Sequence, residues 1–260
     1  MEYVYHGSST HGLKTIYPHE STHGNYVYAT TDLVVATIFC KRCGDDVTYA
    51  LYKAEDGKYN VIELLPGVFD LMFNNDASIY TVLGTTFKDY RTGFKEVMST
   101  QPVRVVAEEF IPNVLSELER LNETGSLHLY RYPNKPKDFS AEEHLISQLF
   151  GTYINIQSPE RFKNGIYRFA GYHPELINKI NEELIKHNVD MPQIDYNGLI
   201  NYYDHQLSAY DHDSTHERYL NSLLYMGLKT YPDLKDQINE IINKHGYDYK
   251  SPINENVKQV

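Results

Sequence analysis

The sequence predicts an α+β protein in which a β-rich N-terminal half precedes an all-helical half. Short runs of strand-forming residues, separated by turns, fill roughly the first 110 residues, and amphipathic helical patterns begin near residue 140. Between them, residues 122–139 change to glycine, proline and mixed charges, which is typical of a linker. We therefore expect a first domain at 1–121, a linker at 122–139, a helical domain at 140–250 and a tail at 251–260.

Five runs rich in β-branched and aromatic residues predict the strands of the first half. They are Tyr3–Tyr5, Tyr26–Thr30, Thr48–Lys53, Tyr59–Leu65 and Val103–Phe110. The third and fourth runs flank Asp56-Gly57, which is a typical hairpin turn. Thr31-Asp32 is predicted to begin a helix whose apolar Val35 and Ile38 share one face.

The helical half contains an internal repeat. Pro174–His187 aligns without gaps with Pro232–His245, and both segments combine a proline at the first helical position with an amphipathic pattern. Ser140-Ala-Glu-Glu143 fits a capping box that opens the first copy. We therefore expect a duplicated three-helix unit, with copies at about 140–190 and 196–248, packed as a compact bundle.

The composition argues against some classes of function. A formal net charge of −11 disfavours stable binding to a phosphate backbone, which needs a basic surface to displace counterions. No apolar run approaches the length of a membrane helix, and Met1–Tyr5 does not resemble a signal peptide. The two cysteines, Cys40 and Cys43, are too few for a disulfide framework. We expect a cytoplasmic protein that does not enter a membrane.

The residues that suggest chemistry form an ordered pattern near the N-terminus. Tyr5-His6-Gly7-Ser8 is followed by Tyr26-Val27-Tyr28-Ala29-Thr30 and then by Asp32. This pattern resembles the opening of the His-Tyr class of ADP-ribosyltransferases, in which a strand ending in His-Gly-Ser or His-Gly-Thr precedes a strand that carries a tyrosine. The likeness is closest to the small rifampin-modifying group, whose later strands are similar to Val61–Gly67 and Pro102–Glu108. The resemblance covers residues 1 to about 112 and implies an ADP-ribosyltransferase-like split β-sheet.

The resemblance also implies NAD+ as co-substrate and a role for each residue of the pattern. His6 would hydrogen-bond a ribose hydroxyl, Gly7 would let the backbone pair with the nicotinamide amide, and Ser8 would add a hydroxyl to the same wall. Tyr28 would stack on the cationic nicotinamide ring, with Tyr26 on the same face of its strand. Because the bond breaks through an oxocarbenium-like state with an already cationic leaving group, the protein has to hold NAD+ and stabilise developing charge.

The acidic member of the site has two candidate positions. In the rifampin-modifying group an aspartate lies shortly after a Pro-x-Gly-like turn, which implies Asp70 here. In the toxin-like branch a glutamate on a late strand does this work, which implies Glu108 or Glu109. Both assignments remain open at the level of the sequence.

We expect an ADP-ribosyltransferase, or an NAD+ glycohydrolase, whose acceptor is a protein, a nucleic-acid end or a small molecule. The added helical half would suit a toxin or a phage-defence effector. The alternative is a catalytically inactive protein that keeps this fold and binds a protein partner through its helical repeat. NAD+ turnover by the purified protein discriminates between the two.

Two groups of residues raise the question of a metal site. Cys40 and Cys43 could supply half of a zinc site, but the simpler interpretation is a core cysteine and an exposed one. His212 and His216 have the i, i+4 spacing of metal ligands, within a segment that is more simply a solvated polar loop. We therefore expect no bound metal.

Overall fold

The computed structural model describes residues 2–21, 24–42, 47–89, 94–153, 159–230 and 234–252. Within these ranges an N-terminal antiparallel sheet is followed by several C-terminal helices, so the predicted α+β class is confirmed. No helix in these ranges is long and apolar enough to cross a membrane.

The described strands form two sheets. The strands are β1 (Tyr3–Ser8), β2 (Thr15–Ile16), β3 (His19–Ser21), β4 (Gly24–Thr30), β5 (Tyr49–Lys53), β6 (Tyr59–Glu63), β7 (Ala77–Leu83), β8 (Lys88–Asp89), β9 (Glu96–Ser99), β10 (Val103–Ile111) and β11 (His128–Tyr130). The larger sheet has the order β2-β10-β7-β1-β4-β9-β8, with β3 also paired to β4. The smaller sheet has the order β11-β6-β5, with β11 parallel to β6.

The helices that accompany these strands are mostly C-terminal. They are α1 (Leu33–Ile38), α2 (Val68–Phe73), α3 (Val114–Glu123), α4 (Ala141–Tyr153), α5 (Pro159–Tyr172), α6 (Ile177–Lys186), α7 (Tyr196–Ser208), α8 (Ser214–Thr230) and α9 (Lys235–Lys244). Pro174–Leu176 forms a turn of 3₁₀ helix before α6.

Local signals in the sequence explain several of these elements. The Asp32 carboxylate accepts a hydrogen bond from the Val34 N–H at 3.0 Å, and this cap starts α1 where the sequence predicts it. Gly57, at φ +85°, lies in the turn between β5 and β6, which are neighbours in the smaller sheet as the hairpin signal predicts. The Ser140 hydroxyl accepts from the Glu143 N–H at 3.1 Å, so this half of the predicted capping box is present at the start of α4.

The two faces of β1 have different neighbours. Val4 is fully buried with Tyr80 in the apolar core on one face of the sheet. The Cα–H of Gly7 faces α1 on the other side of the sheet. A Cβ added there would collide with the Ala36 carbonyl oxygen and lie 2.9 Å from the Cys40 Sγ. Glycine at position 7 is therefore required for the close approach of α1 to the sheet.

The chain divides into two compact units. Unit 1 comprises Met1–Gly44, Leu51–Ile62 and Phe69–Tyr130, and unit 2 comprises Asp45–Ala50, Glu63–Val68 and Arg131–Val260. The segment that the sequence analysis treats as a linker, residues 122–139, contains the end of α3 and the strand β11. The weak signal of this strand is due to its length of three residues, which is too short to produce a recognisable alternation.

Tyrosine rings fill the space beside glycines in the helices of unit 2. Helix α5 packs against α7 and α8, and α9 packs against the same two helices. A Cβ added at any of three helical glycines would lie within 3.0 Å of a tyrosine ring or hydroxyl. The pairs are Gly171 with Tyr202, Gly198 with Tyr167, and Gly227 with Tyr203. The Tyr203 hydroxyl also donates to the Gly171 carbonyl at 2.9 Å, so this fully buried tyrosine satisfies its polar end while filling the core.

Helices α6 and α9 end in the same way. In His187-Asn188-Val189 and His245-Gly246-Tyr247 the middle residue has positive φ, at 51° and 60°. The third residue donates its N–H back to the helix, to the Leu184 carbonyl in one case and the Ile242 carbonyl in the other, at 3.0 Å in both. This is the Schellman geometry, in which a left-handed residue lets the chain satisfy the last helical carbonyls. Pro232, predicted to open the second of these segments, lies outside the described residues.

We predict that Gly227→Ala destabilises the protein by about 1–3 kcal/mol, because its Cβ would lie 2.9 Å from the Tyr203 hydroxyl, whose ring is fully buried. Gly151→Ala is the matched control, since its Cβ would meet no heavy atom within 4 Å. Alanine is the better helix former by roughly 0.5–1 kcal/mol, so this control is expected to stabilise α4. Chemical denaturation measures both changes, and stabilisation by Gly227→Ala would contradict the described packing.

Candidate active site

Three residues on adjacent strands form a row across the larger sheet. His6 of β1 lies opposite Tyr80 of β7, and Tyr80 lies opposite Glu108 of β10. Directly opposed residues of antiparallel strands share a face, so His6 and Glu108 flank Tyr80 on one face of the sheet. The ring centroids of His6 and Tyr80 are 6.4 Å apart.

A β-bulge in β10 brings Glu108 into this row. Val105 lies opposite Val82, but Ala107 lies opposite Thr81, so one extra residue, Val106, is accommodated between them. Without this shift, continued pairing would set Ala107 opposite Tyr80 and turn Glu108 to the other face. The bulge therefore decides which of the two adjacent carboxylates, Glu108 or Glu109, shares a face with His6.

The proton position on His6 follows from its hydrogen bond. The Nδ1 atom lies 2.7 Å from the Tyr28 carbonyl oxygen, and a carbonyl oxygen can only accept, so Nδ1 carries the proton and donates it. Burial lowers the pKa of His6 below its ordinary value of 6.5, against the effect of this hydrogen bond, and the nearby His19 lowers it further. His6 is therefore neutral at pH 7, and its Nε2 is a hydrogen-bond acceptor.

Tyr28 belongs to a cluster of rings on β3 and β4. Its neighbours in the strand, Val27 and Ala29, are buried in the core, so the half-buried Tyr28 and Tyr26 side chains leave from the alternate face. The Tyr28 ring centroid lies 5.8 Å from that of Tyr26 and 6.0 Å from that of His19, both edge to face. His6 thus contacts the backbone of Tyr28, whose side chain leaves from the face of the sheet opposite to that of Val4 and His6. The His19 ring packs against the Tyr28 ring and acts on His6 through its charge.

Gly7 and Ser8 have structural partners. Gly7 packs under α1 as described above, beside the fully buried Cys40, whose thiol pKa is raised to about 12 by burial. The Ser8 hydroxyl accepts the Thr10 N–H at 3.1 Å, and Ser8 lies opposite Ser78, on the face that carries His6. Cys40 is therefore a core residue, as the sequence predicts.

The Glu108 carboxylate is held through one oxygen. Its Oε1 lies 2.9 Å from the Gly12 N–H, 2.8 Å from the Ser78 hydroxyl and 2.9 Å from the Tyr80 hydroxyl. These bonds, first of all that from Gly12, hold the pKa of Glu108 below its ordinary value of 4.5, and Lys14 contributes in the same direction. Glu108 is exposed and ionised at neutral pH.

The other two acidic candidates lie elsewhere in unit 1. Asp70 is an exposed residue in the first turn of the short helix α2, where its neighbours Phe69 and Leu71 are buried. The Arg42 N–H donates to the Met72 carbonyl at 2.9 Å, so α2 lies beside the segment that follows α1. Glu109 lines a cavity of about 390 Å³ between α1, β10 and α3, on the opposite face of the sheet from Glu108.

Sequence analysis did not single out β7, which supplies the middle of the row. Its signal is a pair of residues with hydroxyl groups two positions apart, Ser78 and Tyr80, in a strand whose other residues except Thr81 are apolar. Both are fully buried, and their hydroxyls converge on the Glu108 Oε1. Residues two apart in a strand share a face, so this spacing could have indicated a polar row.

Metal-ligating residues do not come together in the part of the chain that the structure describes. Over these residues no group of three or more His, Cys, Asp or Glu side chains could hold a metal ion. His212 is exposed, at φ +62°, and its ring packs against Tyr210 with centroids 4.8 Å apart. His216 bonds Asp211 at 3.1 Å, and Cys43 lies outside the described residues.

We predict that His6 titrates below pH 6.5, with its neutral form protonated at Nδ1. The folded state then binds fewer protons than the unfolded chain between the two pKa values. Stability is therefore expected to rise with pH through this window below 6.5, and to fall as the pH is lowered through it. NMR of ring-labelled histidine measures both pKa and tautomer, and His6→Gln identifies the resonance. A midpoint at or above 6.5 would contradict the described burial of the ring, and an Nε2–H tautomer would contradict its hydrogen bond to Tyr28.

Comparison with known proteins yields no relative. No family model, no curated protein and no solved structure matches this chain. The row His6, Tyr80 and Glu108 and the N-terminal pattern are the features of this chain that point to a function.

Proposed function

We propose that unit 1 is an ADP-ribosyltransferase-like domain that binds NAD+ and cleaves its nicotinamide–ribose bond. In the reaction, NAD+ and an acceptor hydroxyl, R–OH, give nicotinamide, ADP-ribosyl–OR and a proton. With water as acceptor the product is free ADP-ribose. The acceptor is a protein, a nucleic-acid end or a small molecule.

The observation that carries this proposal is the fixed protonation of His6. Since Nδ1 donates to the Tyr28 carbonyl and the ring is neutral, Nε2 is able to accept a hydrogen bond from a ribose hydroxyl. Burial keeps the ring neutral, and the Tyr28 carbonyl takes the Nδ1 proton, so Nε2 is the atom left to accept. This is the role that the resemblance implies for His6.

Glu108 supports the proposal as the acidic member of the site. It shares a face with His6, and it is ionised, so it can stabilise the positive charge that develops on the ribose as nicotinamide leaves. It can also accept the proton of the acceptor hydroxyl. Asp70 is the weaker candidate because it lies in the first turn of α2 and not on the strands that carry His6 and Glu108.

The ring cluster supports a site for a cationic heterocycle. Tyr26 and Tyr28 are half-buried and edge to face, so each leaves part of its ring accessible. The negative face of a tyrosine ring attracts a cation such as the nicotinamide of NAD+. In this proposal Tyr28 is the stacking residue, and His19 is an additional neighbour of the ring.

We also infer that the helical half arose by duplication of a three-helix unit, α4–α6 and α7–α9. The ungapped alignment and the matching ends of α6 and α9 support this inference. Such a bundle would bind a protein partner that brings the acceptor. If unit 1 has no activity, partner binding through this bundle is the function that remains.

We predict that the purified protein binds NAD+ and releases nicotinamide, and that His6→Ala weakens binding roughly tenfold or more, because a ribose hydroxyl loses its acceptor. Calorimetry measures binding, and chromatography measures nicotinamide. His205→Ala, at an exposed position of α7, is the matched control and should behave as the wild type. Absence of binding at millimolar NAD+ by the folded wild-type protein would exclude the proposal and leave the interaction protein.

We predict that Glu108→Gln lowers nicotinamide release by about 10²-fold or more while NAD+ binding changes little, because the charge acts in the transition state. Glu109→Gln is the matched control, since Glu109 is adjacent in sequence but faces the opposite side of the sheet. Equal effects of the two substitutions would show that a general loss of negative charge, rather than the position of Glu108, is responsible. Loss of activity in Asp70→Asn instead would move the acidic role to α2.

A further inference from the structure

The loop that follows β1 is fastened to the strands that carry Glu108. The Gly12 N–H donates to the Glu108 Oε1 at 2.9 Å, and the Leu13 N–H donates to the Tyr80 hydroxyl at 3.2 Å. The Tyr80 hydroxyl lies 2.7 Å from the Thr10 carbonyl, and the His11 Nδ1 lies 2.9 Å from the Ser78 hydroxyl. Gly12 and Leu13 therefore donate to Glu108 and Tyr80, and His11 bonds Ser78. The Thr10 carbonyl and the Glu108 Oε1 share the single proton of the Tyr80 hydroxyl.

The direction of the bonds through Ser78 can be derived. Its hydroxyl has one proton and two partners, the Glu108 Oε1 at 2.8 Å and the His11 Nδ1 at 2.9 Å. An ionised carboxylate can only accept, so the Ser78 proton goes to Glu108. The His11 Nδ1 must then carry a proton and donate it to the Ser78 oxygen. The His11 Nε2 lies 3.5 Å from the Asp76 carboxylate, which favours the same ring orientation.

We propose that His11 is a positioning residue: its Nδ1–H orients the Ser78 hydroxyl, which holds the Glu108 Oε1 and leaves Oε2 to face the substrate. This inference rests on the proposed function for what Glu108 does, but the hydrogen-bond relay can be tested without it. In the described part of the chain all the hydrogen bonds of Glu108 go to Oε1, so the relay fixes the carboxylate without occupying its second oxygen.

The same three side chains, Asp76, His11 and Ser78, have the composition of a hydrolytic triad, and the structure argues against that use. Ser78 is fully buried, so its oxygen is closed to a substrate. Its proton is directed to Glu108 rather than to His11. His11, by contrast, is 38% exposed on its side chain, so its ring is accessible to solvent while Ser78 is enclosed.

The charged and titratable groups around the relay are few. Lys14 and Tyr80 face Glu108, and Asp76 faces His11. The His11 ring also contacts the Phe110 ring, with centroids 5.3 Å apart. Removing the His11 side chain leaves Lys14 and Tyr80 in place, so a change in the Glu108 pKa would report on the relay.

The experiment compares His11→Ala, His11→Asn and Ser78→Ala in the full chain. The Asn Nδ2–H lies near the position of the histidine Nδ1–H, so His11→Asn preserves the donor to Ser78. NMR of ¹³C-labelled glutamate measures the Glu108 pKa, with Glu108→Gln identifying the signal, and nicotinamide release gives kcat, KM and the acidic limb of the pH profile. Circular dichroism confirms that each variant is folded.

We expect His11→Ala and Ser78→Ala each to raise the Glu108 pKa by about half a unit or more, because the carboxylate loses an oriented donor. The acidic limb should move to higher pH by the same amount, and kcat should fall about fivefold or more with little change in KM. His11→Asn should restore the wild-type values, and the double variant of His11→Ala and Ser78→Ala should be no worse than either alone.

An unchanged Glu108 pKa in His11→Ala, or no recovery in His11→Asn, would overturn the relay. If Ser78→Ala fails to fold, the comparison of His11→Ala with His11→Asn still decides the question. If the wild type releases no nicotinamide, the proposed function fails, while the Glu108 pKa in the variants still decides whether His11 positions this carboxylate.

Discussion

The register of β10 against β7 is the constraint on which the candidate site depends. One extra residue, Val106, turns every later side chain of β10 to the opposite face, because side chains alternate along a strand. Glu108 then shares a face with His6, and Glu109 lines the cavity against α1 and α3. In this register Glu108 accepts the Gly12 N–H, so the bulge adds one bond to those that the loop makes with Ser78 and Tyr80 of β7.

Hydrogen bonding defines the protonation of both histidines near this carboxylate. His6 donates from Nδ1 to the Tyr28 carbonyl. His11 donates from Nδ1 to the Ser78 hydroxyl, which donates its own proton to Glu108. The consequences differ because the surroundings differ. His6 is enclosed by β1 and β4 and is kept neutral by burial, whereas His11 is partly exposed and faces Asp76. His6 is therefore suited to accept a hydrogen bond from a ligand, and His11 is suited to hold the Ser78 hydroxyl in place.

The sequence was informative wherever a short-range signal decides the structure. Asp32 caps α1, Gly57 lies in a hairpin turn, and Ser140 caps α4, each through bonds between residues at most four apart. The pairing of the strands could not be predicted from such short-range signals, because β7 pairs with β1 and β10, which are distant from it in the sequence. The alternation of Val103 and Val105 even favours Glu109 over Glu108 for the core face. The bulge reverses the assignment and places Glu108 on that face. It arises from the pairing of β10 with β7 and cannot be predicted from β10 alone.

The three residues of the His6-Gly7-Ser8 motif have different physical tasks, which bears on the choice between an enzyme and an interaction protein. Gly7 is needed to admit α1, and Ser8 accepts a bond from Thr10, so both would be retained in a fold without activity. A neutral His6 with an accepting Nε2 and an ionised Glu108 on the same face are not required by packing. The Glu108 Oε1 is bonded by the buried Ser78 and by the backbone of Gly12. Fixing the loop in this conformation costs conformational entropy. Polar arrangements of this kind cluster where charge has to be stabilised. The proposed enzyme function would use both features, since a neutral His6 can accept a hydrogen bond from a ribose hydroxyl and an ionised Glu108 can stabilise a developing positive charge.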